Sequence, residues 1–353
     1  MPADAAARRC EDMELPESGH DPVLMAEVLE GLSVGEGKTV VDCTLGRGGH
    51  ALEVGKLLGE TGRLIGLDVD PRNLEFARER LLGKAEGGRQ KAEEKDESQT
   101  DKNVCPAGGK RREEADKNVC PTVEEGVLRC EVRLFHANFA ELEDVLGEVG
   151  VSGVDGVLAD LGISTNQLFD PHYGLSFGSE GRLDMRIDPR IRRSAADLIN
   201  TLPEDELADV LYKLAQERFS RRISRKIGVE RRVSPITTTE RLAEIVRSAV
   251  GHSNEKIDQA TRTFLALRMA VNQELENLEA LLQNAPRFLK PGGRLAVISF
   301  QSMEDRMVKQ AFRQAEQAGQ VRVLTKKPVS PTEDEVARNP RSRSAKLRVI
   351  EKV

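Results

Sequence analysis

Val40-Val41-Asp42-Cys43-Thr44-Leu45-Gly46-Arg47-Gly48-Gly49-His50, followed by Arg63-Leu64-Ile65-Gly66-Leu67-Asp68-Val69-Asp70, is the stretch on which the fold turns. An apolar run ends in a glycine-rich turn, a helix-compatible segment follows, and a second apolar run ends in a carboxylate. That is the outline of a nucleotide-binding βαβ unit. Glycines at 46, 48 and 49 permit positive φ and close approach of the backbone to a ligand. Asp68, about 20 residues further on, is placed to accept hydrogen bonds from ribose hydroxyls, each worth roughly 1.5–3 kcal/mol. The plainer reading is a connecting turn, with Asp68 capping the helix that starts near Pro71. Because Gly46 to Ala51 also fits G-x-G-x-x-G/A, the unit alone leaves a nicotinamide-dinucleotide enzyme open.

With 353 residues and 39% apolar content, the chain can build one large domain and a smaller one. A net charge of −6 argues against a globally basic coat, so any RNA contact must come from a local patch. The absence of Trp and the 3% aromatic content confine base stacking to a few positions. Met1 to Ser18 is polar and no run approaches a membrane span, which predicts a cytoplasmic protein without membrane contact. Cys10, Cys43, Cys105, Cys120 and Cys130 form no CxxC pair and no Cys/His spacing, so reduced thiols and no metal site are expected.

Val23 to Leu32 has helical apolar spacing behind Asp21-Pro22, with His20 either facing the cofactor site or capping at the surface. A helix begins at Pro71 and runs through Leu81. From 83 to 126 the composition turns polar, and Asp101-Lys102-Asn103-Val104-Cys105-Pro106 recurs as Asp116-Lys117-Asn118-Val119-Cys120-Pro121. Such a segment cannot bury enough surface to order itself and is expected to be a disordered insertion. A strand over 127–136 leads to Asn138 and Phe139, which reach the adenine or, for Phe139, the core. Val154 to Asp160 is a strand whose terminal carboxylate, with Ser164 in the following turn, is the first choice for the chemistry. The alternative is that both merely bond the turn backbone. Phe169, Tyr173 and Phe177 in the next loop either stack on an extruded base or pack the loop down.

Helical patterning from about Ala195 to Val250 is too long for an ordinary crossover, which implies an inserted helical domain. It carries Arg218, Arg221, Arg222, Arg225, Lys226, Arg231 and Arg232, a phosphate-binding face or a solvated helix surface. Thr261 opens one amphipathic helix with Phe264, Leu267, Val271, Leu275, Leu278 and Leu282 on a single face. Pro291-Gly292-Gly293 forms a tight turn into a buried strand. A helix over 302–317, a strand over 321–329 and a strand over 345–350 follow, and the two late strands imply an antiparallel edge on the parallel sheet.

Taken together, His20-x-Pro22-Val23-Leu24, Gly46 to His50, Leu158-Ala159-Asp160-Leu161-Gly162-Ile163-Ser164, Leu183-Asp184-Met185-Arg186, Arg262-Thr263-Phe264, Pro291 to Leu295 and Ser299-Phe300-Gln301-Ser302-Met303-Glu304-Asp305-Arg306 resemble the bacterial ribosomal RNA small subunit methyltransferase H family. The resemblance runs from about His20 to the C-terminus, with the duplicated segment excluded. It implies an α/β, Rossmann-like class I methyltransferase sheet using S-adenosylmethionine, interrupted by an inserted helical domain. The boundaries it implies are a polar tail over 1–19, a first core part over 20–170, a substrate-recognition insert over 171–260, and a second core part over 261–353. It further implies methylation at N4 of a cytidine in small-subunit (16S) rRNA, with the rRNA or the small subunit as partner and a homodimer admitted. The donor would be bound by Gly48, Gly49, His50, Asp68, Phe139, Asp160 and Gln167. Gln301 replaces the family's usual His, and Thr165-Asn166 replaces a usual Ser-Pro pair.

The exocyclic amine of cytosine is a weak nucleophile, so direct transfer needs a proton acceptor and close alignment of nitrogen and methyl carbon. Asp160, with Ser164 or its backbone neighbours, is the expected acceptor, and the chemistry requires no metal. A methyltransferase for another RNA or a protein, or a non-catalytic assembly factor, are the competing functions.

Overall fold

The computed structural model describes residues 22–83, 128–178, 181–252 and 257–353. His20, the polar tail and nearly all of the duplicated insertion lie outside these residues. Seven strands form one sheet in the order β3-β2-β1-β4-β5-β7-β6. They are β1 (Thr39–Asp42), β2 (Arg63–Asp68), β3 (Glu131–His136), β4 (Val154–Asp160), β5 (Leu289–Ser299), β6 (Val321–Val323) and β7 (Lys346–Lys352). The first five run parallel, and β7 inserts antiparallel between β5 and β6. The expected antiparallel edge is therefore present, although β6 is shorter than predicted and Val329 contributes only an isolated bridge to Leu347.

β1, β2 and β4 are apolar runs sealed on both faces, as parallel strands covered by helices must be. The covering helices of the first half are α1 (Met25–Leu32), α2 (Gly49–Leu58), α3 (Pro71–Leu82) and α4 (Leu142–Val149). α3 starts where the sequence places it because Asp70 accepts from Arg72 N–H at 3.0 Å and Pro71 occupies the first helical position. β1 lies between β2 and β4, so the chain order reverses there and a crevice opens beyond the strand ends. Each of these three strands ends in an aspartate, Asp42, Asp68 and Asp160, and the last two border that crevice.

Between β4 and β5 the chain forms α5 (Thr165–Phe169), α6 (Ala195–Thr201), α7 (Glu204–Ala215), α8 (Ser220–Val233), α9 (Thr239–Val250), α10 (Thr261–Asn272) and α11 (Glu274–Phe288). One apolar cluster extends from Tyr173 to Val271 and holds Leu211, Ile223, Ile227, Val246, Phe264 and Leu267. The single amphipathic helix expected from Thr261 is instead two helices. Gln273 adopts φ 51° and breaks the run, so Phe264, Leu267 and Val271 pack into the insert while Leu278 and Leu282 pack under the sheet. Asn272 and Asn277 absorb the carbonyls freed by the break, through Asn272 Nδ2 to Arg268 O at 2.9 Å and Asn277 Nδ2 to Asn272 O at 3.0 Å. α12 (Ser302–Gln317) and α13 (Glu333–Arg338) complete the described helices. The Pro291-Gly292-Gly293 turn is built as a bulge inside β5, with Gly292 at φ 77°.

Candidate active site

The glycine turn after β1 is shaped by its own packing. Gly46 and Gly48 take φ 53° and 75°, and the Gly46 N–H donates to Asp68 Oδ2 at 2.7 Å. A Cβ on Gly49 would come 2.7 Å from Pro22 Cγ, so the close approach that requires glycine there is to the α1 entry segment. Gly48 does not line the cavity; it faces Leu81 and Ala77 of α3. The other six expected donor-binding residues, Gly49, His50, Asp68, Phe139, Asp160 and Gln167, all border one cavity of about 210 Å³, as does Ser164.

Asp68 is fixed by the turn, with Oδ1 also accepting from Asp70 N–H at 2.8 Å. Burial pushes its carboxyl up to about 6 against these backbone bonds. Phe139 opens a short 3-10 turn capped by Asn138, whose Oδ1 accepts from Ala140 N–H at 2.9 Å. It packs on the core beneath, as the core reading expects, and borders the cavity above.

Asp160 and Ser164 separate clearly. Ser164 caps α5: its Oγ accepts from Gln167 N–H at 3.2 Å, and its own N–H donates to Gln167 Oε1 at 3.0 Å. Ser164 is thus held to the turn backbone, and only its O–H remains to offer. Asp160 is anchored through its backbone N–H, which donates to Thr44 Oγ1 at 2.6 Å. Its Oδ1 is buried without a partner among the described residues, and Oδ2 lies 3.7 Å from His50 Nδ1. Burial, with Asp42 and Glu304 nearby, pushes this carboxyl up to about 8. His50 Nε2 lies 2.9 Å from the Val23 carbonyl, which must accept from it, so Nδ1 is the ring nitrogen turned toward Asp160.

Gln167 is almost fully committed within the protein. Its Nε2 donates to Asp70 Oδ2 at 2.8 Å, the same oxygen that takes the Tyr173 hydroxyl at 2.7 Å. Tyr173 is therefore a buried strut and not a stacking platform. Phe177 meets Phe264 edge to face at 5.0 Å, and Phe169 lies under Arg341 at 4.9 Å. None of these loop aromatics borders the cavity, so the packing reading prevails for all of them. The residues that depart from the family pattern are also engaged. Thr165 Oγ1 accepts from Arg341 at 2.7 Å, and Asn166, with its amide oxygen turned to Arg47, accepts from that guanidinium at 2.5 to 3.1 Å.

Among the cavity residues that the sequence reading did not assign to the site are Asn272, Glu274 and Glu304. Glu274 forms a bidentate pair with Arg268 at 2.7 and 2.9 Å directly after the helix break. Glu304, 3% exposed, accepts from Phe300 N–H and Gln301 N–H through Oε2 at 3.1 and 3.0 Å. Burial raises its carboxyl, reinforced by Glu274. Gln301 contributes this backbone N–H and does not line the cavity. Five carboxylates, Asp68, Asp160, Asp188, Glu274 and Glu304, face Arg47 and Arg80 as the lining cations among the described residues. No group of residues suited to a metal ion occurs among the described residues.

A model of the MraW methylase family matches residues 17–98 and 112–353. The chain belongs to the MraW methylase family. The interval that this match skips falls inside the duplicated polar segment. Among curated MraW-type relatives, the ribosomal RNA small subunit methyltransferase H of Acidobacterium capsulatum is 42% identical over 334 residues, covering 94% of this chain and 98% of that one. Its namesake from Koribacter versatilis is 42% identical over 337 residues (95% and 94% covered). The Sorangium cellulosum protein of the same name is 43% identical over 336 residues (95% and 91%). As a member of the MraW methylase family the chain is a methyltransferase.

Proposed function

We propose that this cavity binds S-adenosylmethionine and that Asp160 accepts the proton lost when N4 of a 16S rRNA cytidine is methylated. The observation that carries the reading is the buried, unpartnered Asp160 Oδ1 at the sheet's switch point. A carboxylate oxygen with no donor is costly in isolation and complementary to a cation or an N–H that arrives with a ligand.

The donor set suits the methyl donor. Asp68, held by the Gly46 and Asp70 N–H groups, keeps lone pairs for ribose hydroxyls, and Phe139 offers a ring face to the adenine. A carboxylate-rich wall is complementary to a sulfonium and an ammonium. The same wall disfavours a dinucleotide pyrophosphate, because the Gly46 N–H that would greet a phosphate is already spent on Asp68. When bound, S-adenosylmethionine supplies an electrophilic methyl group. Asp160 then takes an N4 hydrogen as the amine lone pair becomes available, with His50 beside it to hold the resulting charge balance. Ser164 and Gln167 set the position of the loop that carries Asp160 forward, and Gln167 has one N–H left for the cofactor.

The reaction is that of the family: methyl transfer from S-adenosylmethionine to small-subunit rRNA. A cytoplasmic location goes with that substrate among chains in which no described helix is long and apolar enough to cross a membrane. The homodimer admitted above is not required by the chemistry, since every residue assigned to it comes from one chain. The test is transfer of labelled methyl to small subunits lacking the modification, followed by nucleoside analysis. The expected product is N4-methylated cytidine, with Asp160→Asn slower by about 10²–10⁴ at unchanged product identity. Methyl found on another base or on protein would reassign the substrate, and an undiminished Asp160→Asn variant would remove Asp160 from the chemistry.

A further inference from the structure

The seven basic residues around α8 divide into two sets. Lys226 pairs with Glu230 at 3.0 Å, Arg232 with Glu204 at 3.5 Å, and Arg231 donates to the Ile199 carbonyl at 2.6 Å. These three are part of the fold. Arg221, Arg222 and Arg225 are exposed and have no hydrogen bond, ion pair or ring contact among the described residues, although the charge of Arg221 acts on Asp209 of α7. Their positions, i, i+1 and i+4, place them on one strip of the helix, on the side away from buried Ile223, Ser224, Ile227 and Gly228. Arg218, whose guanidinium lies over the Phe219 ring at 5.0 Å, extends the strip by one turn.

Fold stability does not ask for this arrangement. Arg221 and Arg222 sit in the first turn of α8, where the helix dipole disfavours cations, and that turn holds no acidic residue. Arg221 and Arg225 repel across i,i+4, at a cost of roughly 0.2–0.5 kcal/mol. Four other arginines of the insert are neutralised: Arg186 by Asp184, Arg190 by Asp188 and Glu141, Arg241 by Glu230, and Arg247 by Asp258. The platform is also rigid. Ser224 Oγ bonds the Glu204 carbonyl, and a Cβ on Gly228 has no room against the Glu204 side chain, so α8 is locked against α7.

We propose that Arg221, Arg222 and Arg225 form a docking face for the phosphate backbone of the rRNA substrate. This rests on the rRNA methyltransferase reading above. The charge complementarity is local: the whole chain carries −6, so it is this strip, not a diffuse basic coat, that can draw an RNA backbone. Guanidinium groups spaced about one helical turn apart can each take a phosphate oxygen pair.

The experiment compares the full-length wild type with R221Q/R222Q/R225Q and R221K/R222K/R225K, using protein-free 16S rRNA and small subunits as separate probes. For the Gln variant we expect KM for rRNA to rise by about tenfold or more, with kcat at saturation and S-adenosylmethionine affinity unchanged. The slope of log K against log salt should become shallower by about 2, from three lost contacts at roughly 0.7 each. Thermal stability should stay level or rise, because the repulsion is relieved, and the Lys variant should retain most of the slope. An unchanged KM and slope would overturn the proposal and return the strip to a solvated surface. Weaker binding to subunits with undiminished binding to protein-free rRNA would overturn it in favour of a ribosomal protein partner. A wild type that binds rRNA with the expected slope but leaves N4 unmethylated would support the docking face while overturning the assigned reaction.

Discussion

At the scale of single residues, Asp160 decides the behaviour of the site. Its carboxyl, pushed up to about 8 by burial first and by Asp42 and Glu304 after it, is mostly protonated at neutral pH in the free protein. A proton acceptor must be ionised, so kcat/KM should rise with pH through about 8. A bound cation favours the ionised form, so the corresponding limb in kcat should lie at lower pH. Superimposed or falling limbs in a pH-rate series would contradict this. Stability has the opposite sign. A folded-state value above the ordinary carboxylate range means that the favourable contribution is present at acid pH and lost as pH rises through about 8. Asp160→Asn should therefore match the wild type in Tm near pH 4 and exceed it near pH 9 by a few degrees, at about 2–4 °C per kcal/mol. Asp68 and Asp160 were legible in the sequence because each terminates an apolar run, and a strand end in an open α/β sheet is where ligands sit. Glu274 and Glu304 were not, because neither terminates an apolar run and each lies within the first turns of a helix whose packing brings it to the crevice.

At the scale of elements, the loop after β4 is held to the end of β2 by Asp70, which is 2% exposed and accepts from Arg72 N–H, Gln167 Nε2 and the Tyr173 hydroxyl. Removing one donor from such a buried carboxylate costs about 1.5–3 kcal/mol. Tyr173→Phe should lower Tm and weaken S-adenosylmethionine binding in a calorimetric titration, while kcat at saturating cofactor stays close to wild type. A fall in kcat alone would place Tyr173 in the chemistry instead. The strands and α3 were readable because local signals coincide there, in the apolar runs, Asp70 and Pro71. The break at Gln273 was unreadable for a definite reason. The apolar spacing of Phe264 to Leu282 continues through it, no Gly or Pro marks it, and the local Asn272 and Asn277 bonds are joined by others that act at long range. Asn272 bonds Ile187 N–H at 3.0 Å and the Met185 carbonyl at 2.8 Å, both in the 185–187 segment.

At the scale of the molecule, the duplicated polar segment joins α3, which ends at Leu82, to β3, which begins at Glu131. The family match skips 99–111. Deleting residues 88–122 should leave methyl transfer and Tm near wild type, since the closure cost of a connection changes with its length by only about 0.6 kcal/mol per halving. A folded deletion variant with greatly reduced transfer would give the segment a role in the reaction.

β4 and β5 are neighbours in the sheet, pairing Asp160 with Ile298, yet the whole insert separates them in the chain. Parallel pairing across so long an excursion is slow, because closure entropy is spent before the contact is gained. The helices between them pack on one another, α7 with α8 and α10 and α8 with α9, and all of these precede β5 in the chain. During synthesis the insert can therefore condense before β5 has left the ribosome, while the floor of the crevice waits for the C-terminal part of the chain. The cavity proposed for the cofactor is then among the last features to be assembled, and a nascent or truncated chain can hold a folded insert before that cavity exists.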